Sequence, residues 1–130
     1  MTMRILFAAL AFAAIPIPVS AQPAPPLPTL DLEQETTVRC AAAFAIVSSE
    51  QGKGSGIAAQ WPALGTRGRE FFVRTGAQLM DETGATRPQV QALFARAAGE
   101  LRADPQALPA KLEGLRAPCL SLLDLAVPPG

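Results

Sequence analysis

The sequence predicts an all-α protein: a small bundle of four to five helices, tied first to last by one disulfide. Three observations lead there. Residues 40–47 are eight consecutive apolar positions, four of them alanine, and alanine is the best helix former and a poor strand former. Three further stretches carry apolar residues at helical spacing, a last short helical stretch follows over 117–125, and no segment alternates over a strand's length between turn residues. Only two cysteines occur, Cys40 and Cys119, placed in the first and last of these stretches.

The first 21 residues have the form of an export signal: Arg4, then eleven uninterrupted apolar residues over 5–15, then Pro16 and Pro18, with Val19 and Ala21 as the small residues before a cut after Ala21. The apolar run is too short for a comfortable membrane anchor. Removing residues 1–21 takes away one Arg and leaves 109 residues with a net charge of −1. An Ala- and Pro-rich signal suggests a bacterial periplasm, with secretion beyond the cell as the alternative. In an oxidising compartment two cysteines ordinarily form a structural bridge. The 79-residue separation would let that bridge contribute about 4 kcal/mol in the chain-entropy account.

Residues 22–30, with four prolines between 22 and 29, read as an extended polyproline tether to a helical domain over 31–125. Asp31 and Gln34 have the N-cap and N3 roles of a capping box. The central helix is therefore predicted over 32–50, with Cys40, Phe44 and Val47 on its most buried stripe and Gly52 as its left-handed cap. The following Gly52, Lys53, Gly54, Ser55 lacks the order and the strand-to-helix context of a phosphate loop. Trp61 and Pro62 predict a short turn with the indole over the core.

A second helix is predicted over 66–82, ending at Gly84, with an inward stripe of Phe72, Val73, Gly76, Ala77, Leu79 and Met80. Glu70 is placed to pair with Arg74. Arg67, Arg69 and Arg74 form the one positive cluster, a candidate contact for an anionic group or an acidic partner. Cations near a helix N-terminus oppose its macrodipole, which hints at another use for them. Thr86, Pro88 and Gln89 cap a third helix with Val90, Leu93, Phe94, Ala97, Ala98 and Leu101 on one face. Asp104 and Pro105 are expected to begin a further helix bearing Leu108, Leu112 and Leu115. Pro118 is expected to begin a last short one over 117–125 that carries Cys119, and residues 126–130 are expected to be a flexible tail.

Three segments carry a resemblance: Arg39-Cys40-Ala41-Ala42-Ala43-Phe44, Gly68-Arg69-Glu70-Phe71-Phe72-Val73 and Pro118-Cys119. Together they resemble a family of small exported bacterial helical proteins to which no activity attaches, so the resemblance carries over no site residues. In architecture the chain is also similar to the acid-stress periplasmic chaperones of the HdeA type.

Basic and acidic residues balance at 11 each, and there is no His. Balanced charge gives no field to draw nucleic acid or an anionic membrane. Without His the chain lacks the usual general base and the commonest metal ligand. No catalytic residue, metal ligand or cofactor is expected, nor a membrane span after cleavage. The leading expectation is a non-enzymatic, chaperone-like or protein-interaction module with a protein partner in the periplasm. The alternatives are a carrier of a small apolar or anionic ligand in the helical core and an enzyme using carboxylates alone, such as Asp81 and Glu82.

Overall fold

The computed structural model describes Ser20 and residues 22–130, so the expected signal peptide over 1–21 lies, but for Ser20, outside the described residues. Four helices follow one another: α1 (Leu32–Gly52), α2 (Gly65–Thr83), α3 (Arg87–Arg102) and α4 (Leu108–Ala126). A short 3-10 turn, Gly56–Ala58, lies between the first two, and no strand occurs among the described residues.

Helix α1 is the central element and packs against the other three. Asp31 accepts from the Gln34 amide at 2.8 Å, and Gln34 Oε1 accepts from the Asp31 amide at 3.0 Å. The reciprocal pair satisfies two amides that the first turn leaves without intrahelical partners. Every residue from Cys40 to Val47 is buried except Ala45. Burial on nearly all sides explains why the run needs no polar stripe. Gly52 is the last helical residue and Lys53 the cap, so the left-handed turn falls two residues later than expected, at Gly54 (φ 68°).

Helices α1 and α2 form an antiparallel pair. At one end Gln51 donates to the Pro62 carbonyl at 2.8 Å and accepts from the Leu64 amide at 3.3 Å. At the other, Gln34 donates to Glu82 at 3.0 Å. Gly68 is buried facing α1, where a Cβ would be in van der Waals contact with Ser48 Oγ at 3.7 Å. Phe44 lies edge-on to Phe71 at 5.0 Å and to Trp61 at 6.2 Å between ring centroids, and Trp61 is buried over the core as expected.

The inward face of α2 is Gly68, Phe71, Thr75 and Leu79, which corrects the expected stripe. Phe72 and Gly76 turn towards α3: Phe72 is half-buried with its ring 4.2 Å from that of Phe94, and a Cβ on Gly76 would meet Val90 at 3.5 Å. Val73 and Met80 face outwards, 63% and 38% exposed. Gly84, at φ 70°, ends α2 in the left-handed conformation with its amide on the Met80 carbonyl.

Helix α3 opens with the expected capping box between Thr86 and Gln89 and buries Val90, Leu93, Phe94, Ala97 and Leu101. It packs against α1, with Arg96 on Glu35 at 3.2 Å and Gln89 on the Pro26 carbonyl at 2.9 Å. The two helices expected after Asp104 are one. Asp104 accepts from the Gln106 amide at 2.9 Å, but α4 begins at Leu108 and continues through Pro118. Leu108, Leu112, Cys119 and Leu123 are buried along it, so one continuous face is held on both sides of the proline. That tertiary anchoring outweighs the backbone bond a proline removes.

Cys40 and Cys119 are bonded, with Cα atoms 5.3 Å apart, and both are at most 1% exposed. The bridge joins the middle of α1 to α4 across 79 residues. The packed region is wider than 31–125. Leu27 and Leu30 of the tether pack against the core, and Val127, expected in a flexible tail, is buried. Among the described residues no helix is long and apolar enough to cross a membrane.

Candidate functional site

The three arginines of the positive cluster have different fates. Arg67 donates through Nε and Nη2 to the Val127 carbonyl at 2.9 and 2.7 Å, and through Nη2 to Asp124 at 2.6 Å. Arg74 donates to the Ala126 carbonyl at 3.2 Å and to Glu70 at 2.9 Å, the pair expected from their spacing. The end of α4 thus lies across α2, and the two guanidinium groups meet carbonyls at the negative end of the α4 dipole. The cost of Arg67 near the α2 N-terminus is offset by that second helix. Arg69 is exposed and has no hydrogen-bond or ion-pair partner among the described residues.

Several clefts border α1 and open to solvent. Between its start and the end of α2 is one of about 280 Å³ lined by Asp31, Glu33, Gln34, Thr75, Gln78 and Glu82. Its acids do not form an acid–base pair. Glu82 accepts from Gln34 at 3.0 Å and Gln78 at 2.6 Å, and these donors, Gln34 first, hold its carboxyl below the usual range. A carboxylate held in its charged form is a poor proton donor. Asp81 stands exposed on the outer side of α2. No group of three or more His, Cys, Asp or Glu placed to hold a metal occurs among the described residues.

A second cleft, about 370 Å³, lies where α3 and α4 meet, with Arg39, Glu100 and Lys111 around Ala97, Leu101 and Leu115. The third, about 230 Å³, is a groove between α1 and α2. Phe44, Ala45, Ser48, Gly68, Arg69 and Phe72 line it. At one end of it Phe72 packs on Phe94 of α3, 4.2 Å between ring centroids. The groove lining comes from α1 and α2 alone. Ala45 opens onto solvent there although both its neighbours are buried.

Sequence reasoning found Arg69 and missed the rest of the groove. Ala45 sits inside an unbroken apolar run, and such a run carries no sign of which single position faces solvent. The glycine-rich segment is a turn: Lys53 pairs with Glu50 at 3.2 Å, and Ser55 caps the 3-10 turn through the Ile57 amide. Glu50 is held below the usual carboxyl range by Ser55 first and then Lys53.

No family, curated protein or solved structure matches this chain.

Proposed function

We propose that this chain is an exported, non-enzymatic helical protein of the bacterial periplasm that works by binding another protein in the α1–α2 groove. The observation that supports this reading most is the groove itself. It is an apolar trench floored by small residues, flanked by Phe72, with the guanidinium of Arg69 at its rim. Such a surface accepts an apolar side chain of a partner beside an acidic one. Its opening to solvent suits docking better than storage of a small ligand in a closed core. The buried, oxidised cysteine pair fits a compartment outside the reducing cytosol, and export rests on the signal-like residues 1–21. A chaperone-like role is one form that this docking could take.

The test is a cross-linked pull-down from native periplasm with the wild-type protein and Ala45→Arg in parallel. Arginine at position 45 fills the trench and places a second cation beside Arg69. A protein that cross-links to the wild type and is lost from Ala45→Arg supports the reading. The same set of proteins captured by both contradicts it.

A further inference from the structure

The outward face of α2 carries a second, independent feature. Arg69, Val73, Ala77 and Asp81 stand four residues apart and form one ridge along the helix, and all four are exposed. Val73 is 63% exposed, and Met80 beside it 38%. The charged and amide groups around the ridge have intramolecular partners: Glu70 with Arg74, and Gln78 with Glu82. Arg69 and Asp81 have none among the described residues.

The ridge is symmetric in a way that matters for a two-fold pair. Its midpoint is Thr75, so Arg69 and Asp81 are equally far from the centre, as are Val73 and Ala77. A two-fold axis that reverses the helix sets Arg69 of one copy against Asp81 of the other, twice. It sets Val73 against Ala77, a larger side chain against a smaller, also twice. Met80 falls opposite Glu70 of the second copy, over the methylenes of its stem. An isologous contact requires that each residue's partner be supplied by the same patch, and this patch supplies one for each of these residues. A ridge of residues four apart is inclined about 26° to its helix axis, so matching two of them crosses the helices at about 50°, the commonest packing class.

We propose that the chain self-associates through this ridge as an antiparallel α2–α2 pair, with Arg69–Asp81 ion pairs closing both ends. One helix pair buries less than the roughly 1,000 Å² of a stable interface, so the dimer is weak and exchanges rapidly. The surface shares only Arg69 with the lining of the α1–α2 groove, and it stands or falls separately from partner docking there.

Sedimentation equilibrium of the oxidised full chain up to a protein concentration of about 1 mM reads the association, on the scale expected for a small interface. The expected result is a reversible monomer–dimer equilibrium that weakens as salt is raised, because its end pairs are solvent-exposed. Arg69→Asp alone and Asp81→Arg alone each place like charges together at both ends and weaken dimerisation by about tenfold or more. The double variant Arg69→Asp with Asp81→Arg restores opposite charges and returns association to within about threefold of the wild type. Both positions are exposed, so unchanged melting curves accompany all three variants. A wild type that stays monomeric throughout, or a double variant no better than the singles, overturns the proposal.

Discussion

Phe44 is one of the largest fully buried side chains of the core. It is 1% exposed and meets Phe71 and Trp61 edge-on. Phe44→Ala should cost about 3–5 kcal/mol, the range for a fully buried ring. Val73→Ala, two positions from Phe71 but facing out, should change stability by less than about 0.5 kcal/mol. Denaturant unfolding of the two variants measures both, and a large loss at Val73 would mean that the α2 face is wrong. Arg67 marks the limit of reading residues in isolation. Its awkward place near a helix start was visible in the sequence. The carbonyl that explains it belongs to Val127, 60 positions on. Because the guanidinium is partly exposed, Arg67→Ala should cost only about 1 kcal/mol, measured in the same unfolding experiment.

At the scale of elements, α1 and α3 were legible because each carries its own start signal, followed by an unbroken apolar run in α1 and a single inward face in α3. Helix α2 was legible in extent but not in rotation. Phe71, Phe72 and Val73 are consecutive apolar residues, and periodicity cannot decide which of them faces a neighbour whose position is unknown. The sequence divides the stretch after Asp104 at Pro118, because a proline inside a helix removes one hydrogen bond and crowds the carbonyl four residues back. The buried leucines and Cys119 hold α4 together regardless. The proline therefore remains a local weakness. Pro118 is exposed, so Pro118→Ala loses no packing and should stabilise the oxidised protein by about 1–2 kcal/mol, net of the flexibility that alanine returns to the unfolded chain. A lower midpoint in a denaturant titration would contradict that account.

The α1–α2 end contact gives the same scale a pH dependence. Gln34 and Gln78 lower the Glu82 pKa below its unfolded value. Stability from this contact is therefore full above the unfolded carboxyl pKa and is lost as pH falls through the folded one. Glu82→Gln should lose less stability than the wild type between neutral and acidic solution. Equal losses in paired melts would show that the contact contributes nothing.

On the scale of the whole molecule, the helical class and the first-to-last bridge followed from composition, periodicity and two cysteines. The groove did not, because residues of two helices separated in sequence meet to form it, and such a juxtaposition leaves no local mark. The bridge joins α1 to α4 across 79 residues, a loop long enough to contribute about 4 kcal/mol in the chain-entropy account. For a domain near 100 residues, reduction should lower the melting temperature by more than roughly 10 °C, while the helical circular-dichroism signal persists in the cold. The central claim, an exported bundle closed by Cys40–Cys119, is tested most directly by intact mass spectrometry after alkylation under denaturing, non-reducing conditions. The protein should be taken from the native periplasm. The mass should correspond to a chain beginning at Gln22 with no alkylated cysteine. A chain that retains Met1, or one carrying an alkyl group on each cysteine, would contradict the account.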